Sequence, residues 1–154
     1  MHLILMRHGR AQEVAANGDM ARPLTDRGRS DVARTGASLL GAGYRPDVVL
    51  VSTATRTLET LDVLPDALVE SASVVREASL YNADLDGLLD LVARQADVGT
   101  LMIVGHNPGL AALVSFLGGD PQADGFGPAD VGVFDVRIGE WNGSRPIDRF
   151  SPKP

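Results

Sequence analysis

Three short apolar runs divide the chain, and each has the length and composition of a buried β-strand. They comprise residues 2–6, 47–51 and 100–104. A shorter strand is predicted at Val74 and Val75, and alternating polar and apolar residues over 131–138 predict a late strand. Residues 145–150 are expected to pair with this late strand as a hairpin at the sheet edge.

Apolar residues between these strands recur at helical spacing. Thr25 is predicted to cap a first helix over about 26–40. Ser52 or Thr53 is predicted to cap a second helix, which Pro65 ends. The inward positions of the second, third and fourth helices are predicted to be Leu58, Leu61 and Leu64, then Leu85, Leu88, Leu89, Val92 and Ala96, and finally Leu110, Leu113, Val114 and Leu117.

Strands that alternate with helices predict an α/β fold: a three-layer α/β/α sandwich with a largely parallel central sheet and helices on both faces. A length of 154 residues suits one domain, which we expect to cover residues 1–150. Residues 151–154 are predicted to be a frayed tail. The fourth helix is expected to stop at Gly118-Gly119.

Composition narrows the functional classes. A net charge of -6 argues against nonspecific binding to nucleic acid or to acidic membranes, because either would need a basic surface. No apolar run approaches the roughly 18 residues of a membrane span, and the first residues lack the basic start of a secretory signal, so we expect a cytoplasmic protein. The chain contains no cysteine, which excludes disulfides, thiol catalysis and thiolate metal sites.

Two histidines follow the ends of predicted buried strands. Arg7-His8-Gly9 comes directly after the first strand, and Gly105-His106-Asn107-Pro108 follows the strand at 100–104. In open α/β sheets, ligands bind beyond the carboxyl ends of the strands, so both imidazoles are expected at one crevice. Asn107 is predicted to cap the helix that Pro108 opens, and the positive end of that helix would face the same crevice.

A third strand end adds a cation. Ser52-Thr53-Ala54-Thr55-Arg56 follows the strand at 47–51, which places Arg56 in the first turn of the next helix. Two arginines, two imidazoles and helix amides describe an anion site whose charge matches a phosphoryl group. A neutral imidazole is a competent nucleophile at neutral pH when its other nitrogen donates to a backbone carbonyl, and such a mechanism needs neither a metal nor a cofactor.

In order and spacing, these motifs resemble those of the histidine phosphatase superfamily, also called phosphoglycerate-mutase-like. The matching segments are Arg7-His8-Gly9, Pro23-Leu24-Thr25-Asp26-Arg27-Gly28, Ser52-Thr53-Ala54-Thr55-Arg56-Thr57 with Thr60, and Gly105-His106-Asn107-Pro108. The small size and the short middle region over 77–83, without a long inserted cap, resemble the SixA-type phosphohistidine phosphatase branch. The resemblance covers nearly the whole chain.

The resemblance implies a role for each of these residues. His8 would be the nucleophile and would form a phosphohistidine intermediate that water hydrolyses. Arg7, Arg56 and His106 would hold the phosphoryl oxygens. Arg22, on the loop before the second motif, would either add charge above the phosphate or be a solvated loop residue.

Glu77 lies in the stretch from which many relatives supply the acid that protonates the leaving group, although the tryptophan-glutamate-glycine pattern of some branches is absent. It is either that acid or an exposed structural glutamate. An alkoxide leaving group needs a well-placed acid, whereas the P–N bond of phosphohistidine breaks with modest help. The weak signal for an acid therefore favours a phosphohistidine substrate.

Three functions remain open from the sequence. The first is a phosphohistidine phosphatase acting on a phosphorylated protein, since a small, uncapped site suits a folded partner. The second, with the same chemistry, is a phosphatase of small phosphomonoesters. The third is a catalytically silent phosphate-binding module, which would be expected to lack a nucleophile or clamp residue. None of the three needs nucleic acid or a membrane as partner.

Overall fold

The computed structural model describes residues 1–118 and 125–152, and a single mixed sheet organises this part of the chain. Its six strands are β1 (His2–Arg7), β2 (Val48–Val51), β3 (Ser73–Arg76), β4 (Thr100–Gly105), β5 (Val131–Asp135) and β6 (Arg145–Phe150). They lie in the order β3-β2-β4-β1-β5-β6. The first four in this order run parallel, whereas β5 and β6 add an antiparallel hairpin at one edge. The predicted, largely parallel sheet is confirmed.

Helices cover both faces of the sheet, as predicted. They are α1 (Asp26–Gly41), α2 (Thr55–Val63), α3 (Asp66–Val69), α4 (Leu85–Ala93) and α5 (Gly109–Gly118). Alternate residues of β1 point into opposite layers. Leu3 and Leu5 lie in a core cluster with apolar residues of α4 and α5, whereas Ile4 and Met6 lie in a second cluster with residues of α1 and α3. The three-layer α/β/α sandwich is therefore confirmed.

The caps of the first two helices differ in how well the sequence predicted them. Thr25 caps α1 through a 2.9 Å hydrogen bond that its Oγ1 accepts from the backbone N–H of Gly28, as predicted. The predicted cap of α2 is wrong, because Ala54 holds the N-cap position and contributes no side-chain bond. The hydroxyl of Ser52 instead contacts His106, a partner that no local pattern reveals.

The inward face of α2 is more polar than its leucines suggested. Leu58 and Leu61 are only half-buried and pack at the margin of the core. The fully buried residues of this helix are Arg56, Thr57 and Thr60. The helix therefore presents hydrogen-bonding groups to the interior, close to the carboxyl end of β1.

Several predicted ends are shifted or lie outside the described residues. Helix α4 ends at Ala93, and β5 ends at Asp135 rather than at residue 138. Of the predicted Gly118-Gly119 stop, Gly118 is the last residue of α5 and residue 119 is not described. Of the predicted frayed tail, 153 and 154 are not described, whereas Pro152 is buried and its carbonyl oxygen accepts a 2.9 Å hydrogen bond from Arg34. Among the described residues, no helix is both long and apolar enough to span a bilayer.

The turn after β1 is fixed between α1 and α2 by close backbone approach. A Cβ on Gly9 would lie 2.6 Å from Cγ2 of Val32, and one on Gly28 would lie 2.1 Å from the carbonyl oxygen of Arg10. The N–H of Gly9 donates to Oγ1 of Thr60 at 3.0 Å. These contacts leave the turn little freedom, so the residue between Arg7 and Gly9 has a defined orientation.

Replacing Gly28 by alanine should therefore destabilise the protein. The added Cβ meets a backbone oxygen that cannot move independently, so Gly28→Ala is expected to lower the free energy of unfolding by about 1–3 kcal/mol. Gly41→Ala, at the exposed end of the same helix, has open space around the new Cβ and should leave stability unchanged or raise it by up to about 1 kcal/mol. Urea unfolding measures both variants, and equal midpoints would contradict this account of the turn.

Candidate active site

The carboxyl ends of three parallel strands bring the predicted site residues together. Arg7 ends β1 and pairs in register with Gly105, which ends β4. The next residues along the chain, His8 and His106, therefore lie side by side with ring centroids 5.3 Å apart. Arg56, from the first turn of α2, reaches the same place and donates from Nε to Nε2 of His8 at 3.3 Å. The structure thus brings together the four residues expected to form the site.

The imidazole of His8 has a defined tautomer. Its Nδ1 lies 2.7 Å from the carbonyl oxygen of Gly9. A carbonyl oxygen can only accept a hydrogen bond, so Nδ1 carries the proton. This leaves a lone pair on Nε2, where Arg56 donates to it. The lone pair points into the site on the side of the cations.

Both imidazoles are neutral at physiological pH. Burial lowers the pKa of His8 to about 3, helped by the positive charges of Arg56 and Arg7 and opposed by the hydrogen bond to Gly9. Burial and the charge of Arg56 are the main causes that lower the pKa of His106 to about 4. A neutral imidazole with one unprotonated ring nitrogen is the form in which histidine acts as a nucleophile.

Two buried polar nitrogens at the site have no hydrogen-bond partner among the described residues: Nε of Arg7 and Nδ1 of His106. Leaving a buried polar group unpaired costs about 1–3 kcal/mol. The backbone N–H of Ala54 donates to Oγ of Ser52, so the Ser52 hydroxyl can donate to Nε2 of His106 and leave the proton on Nδ1. Arg7 and His106 would then each hold a hydrogen-bond donor that no described residue satisfies.

Asp19 belongs to the site, although the sequence analysis did not single it out. Its carbonyl oxygen accepts from Arg56 at 3.0 Å, and its carboxylate accepts from Arg56 at 3.3 Å and from Arg22 at 2.9 Å. The carboxylate also accepts from the hydroxyl of Tyr81. The pKa of Asp19 is lowered to about 2, mainly by this last hydrogen bond and next by the hydrogen bond from Arg22.

Arg22 is therefore linked to the site through Asp19 and does not contact the histidines directly. Its other contact is a 2.7 Å hydrogen bond from Nη1 to the carbonyl oxygen of Gln12. Arg22 and Asp19 are three residues apart in the chain and form an exposed ion pair. That spacing of opposite charges was the sequence signal that could have drawn attention to Asp19.

Tyr81 is the second residue that the sequence analysis missed. The edge of its ring faces His106, with centroids 5.5 Å apart, and the guanidinium carbon of Arg56 lies 5.8 Å from the ring centre. Asp19 raises the pKa of the Tyr81 hydroxyl by accepting its hydrogen bond. Tyr81 therefore stays protonated and acts as a hydrogen-bond donor above the site.

Glu77 is not brought into contact with the histidines. It caps the short 3-10 helix Ala78–Leu80, and its carboxylate accepts from the hydroxyl of Ser79 at 2.7 Å. Among the described residues, no ion pair or other side chain links this carboxylate to the site. The geometry thus fits the structural reading of Glu77 better than a role as acid.

A cavity of about 360 Å³ adjoins His106 and leaves room for a leaving group. Tyr81 and Asn107 line it together with apolar groups from the start of α4 and α5, namely Ala83, Leu85, Pro108 and Ala112. Within residues 1–118 and 125–152, no cluster of three or more histidine, aspartate or glutamate side chains is arranged to bind a metal ion. The described groups therefore suit an anion attached to a small, partly apolar moiety.

Comparison with known proteins gives a consistent picture. A model of the histidine phosphatase superfamily (branch 1) matches residues 3–88. The structure of a candidate SixA phosphohistidine phosphatase from Agrobacterium tumefaciens is 29% identical, with a TM-score of 0.86 over 98% of both chains. Its counterpart from Nakamurella multipartitia is 30% identical, with a TM-score of 0.84 over 99% of this chain and 96% of that one. A histidine phosphatase SixA complexed with tungstate, 24% identical, shares the fold with a TM-score of 0.86.

Relatives found by sequence are longer than this chain. An uncharacterised chloroplastic protein of Arabidopsis thaliana is 34% identical over an alignment of 129 positions, which covers 76% of this chain and 59% of that protein. The mitochondrial serine/threonine-protein phosphatase Pgam5 of Drosophila pseudoobscura pseudoobscura is 34% identical over an alignment of 84 positions, which covers 51% of this chain and 29% of that protein. This chain thus matches about three fifths or less of the length of either relative.

The protonation state of the two site histidines can be tested by NMR. Because burial lowers their pKa values to about 3 and about 4, His8 and His106 should remain neutral from about pH 8 down to about pH 5. Long-range ¹⁵N–¹H correlation spectra should show His8 as the Nδ1–H tautomer throughout. The exposed His2 serves as reference in the same sample. Protonation of His8 above pH 5 would contradict the assignment.

The same pKa values fix the sign of a stability change. Histidines of the unfolded chain take up protons near pH 6.5, whereas these two stay neutral in the folded state until about pH 4 and about pH 3. The unfolded state binds more protons in that window, so these groups should lower the free energy of unfolding as the pH falls through it.

Proposed function

Because this chain belongs to the histidine phosphatase superfamily (branch 1), we propose that it removes phosphate from a phosphohistidine on a protein. It is a phosphatase of the SixA type. One observation carries the choice of substrate. Among the described residues, no carboxyl group is hydrogen-bonded to either imidazole. Glu77 accepts from Ser79, Asp84 at the cavity wall accepts from the N–H of Gly87, and Asp19 is held ionised.

The first step in this proposal is phosphoryl transfer to the enzyme. The lone pair on Nε2 of His8 attacks phosphorus in line, and a new P–N bond forms as the P–N bond of the substrate breaks. When the other ring nitrogen of the substrate is protonated, its imidazole departs as a neutral molecule and needs no acid from the enzyme. An alkoxide would need such an acid, and this difference supports phosphohistidine as the substrate.

Charge at the site stabilises this transfer. Arg7 and Arg56 supply guanidinium groups, and Nδ1 of His106 supplies a further donor for the equatorial oxygens. Phosphorylation of Nε2 places positive charge on the ring of His8. The carbonyl oxygen of Gly9 accepts the Nδ1–H bond and stabilises that charge.

Hydrolysis completes the cycle. Water attacks the phosphorus of the phosphorylated His8, the P–N bond breaks with its electron pair returning to Nε2, and the proton lost by water goes to the departing phosphate or to solvent. The ring returns to its neutral Nδ1–H tautomer, and inorganic phosphate leaves. Because the tautomer is held by Gly9 throughout, the next substrate meets the same lone pair.

A phosphatase of small phosphomonoesters is the second candidate, favoured by the cavity beside His106. A volume of about 360 Å³ with partly apolar walls would hold a small organic leaving group. The same volume also accommodates the imidazole of a substrate histidine. Substrate preference, rather than the presence of activity, therefore separates the two candidates.

The decisive experiment measures phosphate release from a histidine-phosphorylated peptide and from an aryl phosphate. The parent protein should release phosphate faster from the peptide, because that leaving group needs no enzymatic acid. His8→Ala should lose turnover of both substrates, since it lacks the nucleophile, while still binding vanadate. Faster release from the aryl ester would support the second candidate, and no release from either substrate would indicate a phosphate-binding module.

Arg56→Ala should weaken binding of vanadate, a phosphate analogue. The variant loses a buried guanidinium that lies within hydrogen-bond distance of Nε2 of His8, and a hydrogen bond to a charged group contributes about 1.5–3 kcal/mol. The dissociation constant should therefore rise about 10- to 100-fold. Arg94→Ala, at an exposed position after α4, is the matched control. Titration calorimetry compares them, and equal affinities would remove Arg56 from the site.

A further inference from the structure

A basic groove adjoins the active site on the side of α1. Its volume is about 500 Å³, and it lies between the first half of α1 and the segment that precedes β5. Four arginines line it, together with two aspartates: Arg10, Arg27, Arg34 and Arg149, then Asp31 and Asp130. The name basic groove refers to these six residues below.

The basic groove carries net positive charge on a chain whose net charge is -6. Arg27 is 69% exposed and lies 4.0 Å from Asp31, and Arg149 is 45% exposed and lies 3.5 Å from Asp130. Among the described residues, the other two arginines have no ion pair. Four cations against two carboxylates leave two positive charges, and the exposed guanidinium groups are accessible to a ligand.

One segment forms both a wall of the basic groove and a support of the active site. The N–H of Arg7 donates to the carbonyl oxygen of Asp130 at 3.1 Å, and Nη1 of Arg7 donates to that of Phe126 at 3.2 Å. The N–H of Ala129 donates to the carbonyl oxygens of Arg7 and His8. On the opposite side, Arg10 follows His8 by only two residues. The basic groove and the active site therefore share a wall, formed by the segment before β5.

We propose that the basic groove binds an acidic segment of the protein that carries the phosphohistidine. This inference rests on the proposed function. Exposed arginines spaced along a groove match carboxylates spaced along a polypeptide, and the rigid guanidinium fork pairs well with each carboxylate. Because two aspartates interrupt the arginines, the positive charge lies at separate points, which suits separate carboxylates better than the unbroken charge of a phosphodiester backbone. The basic groove thus gives selectivity for the partner, while the site recognises the phosphoryl group.

Two synthetic peptides of equal length test this proposal. Each contains one phosphohistidine, flanked by four glutamates in one peptide and by four glutamines in the other. The parent protein should show a higher kcat/KM for the glutamate peptide, mainly through KM. This preference should shrink as salt is raised, because exposed charge pairs are screened.

Reversing charge in the basic groove should remove the preference. Arg27→Glu alone is expected to lower the ratio of the two kcat/KM values up to about fivefold, and Arg10→Glu/Arg27→Glu together up to about 25-fold. Arg94→Glu makes the same change in net charge as Arg27→Glu, but near the amino end of β4. It should leave the ratio as in the parent. Circular dichroism checks that each variant is folded. If the double variant is not folded, the single variant alone tests the proposal.

Binding of the unphosphorylated glutamate peptide, measured by fluorescence anisotropy, separates this proposal from the proposed function. The parent should bind it more tightly than Arg27→Glu does, whether or not phosphohistidine proves to be the substrate. Equal kcat/KM values for both peptides, or equal binding by parent and variant, would overturn the basic groove as a docking surface. Tighter binding of a single-stranded oligonucleotide than of the glutamate peptide would also overturn it. Turnover of aryl phosphate alone would refute the proposed function but leave the anisotropy result decisive.

Discussion

The 2.7 Å hydrogen bond from Nδ1 of His8 to the carbonyl oxygen of Gly9 determines which nitrogen of the imidazole is available for chemistry. The bond forms because the chain turns sharply after β1, with backbone so close to α1 that only glycine fits at residues 9 and 28. Burial then keeps the ring neutral among cations. A single short turn thus sets the position, tautomer and charge of the proposed nucleophile.

Charge at the site is balanced by Asp19 rather than by the histidines. Two arginines reach its carboxylate, and the pKa of Asp19 falls to about 2, so the carboxylate remains ionised at any pH at which the protein is used. The neutral imidazoles add hydrogen-bonding groups without adding charge. The guanidinium group of Arg56 is therefore already ordered by an anion, which would reduce the reorganisation needed to bind a phosphoryl group there.

Much of the fold and part of the site follow from local sequence patterns. Strand ends were predictable because apolar runs stop abruptly at Arg7 and Gly105, and parallel pairing then places His8 beside His106. Tyr81 was not, because it reaches the site from a segment whose course depends on tertiary packing, and Asp19 was signalled only by its spacing from Arg22. The cap assigned to Ser52 was wrong for a related reason, since its hydroxyl is engaged by a residue 54 positions away.

In helix α2, residues that support the site occupy buried positions that apolar side chains could otherwise fill. Its buried side chains are Arg56, Thr57 and Thr60, and its leucines are only half-buried, so the helix gains little from apolar burial. It is attached instead through hydroxyl bonds, from Thr57 to the carbonyl oxygen of Ser52 and from the N–H of Gly9 to Thr60. Apolar replacements on this face would add apolar burial but would leave the N–H of Gly9 without its partner, so the turn that α2 supports would be lost. In this helix, selection for thermal stability and selection for turnover are therefore expected to favour different residues.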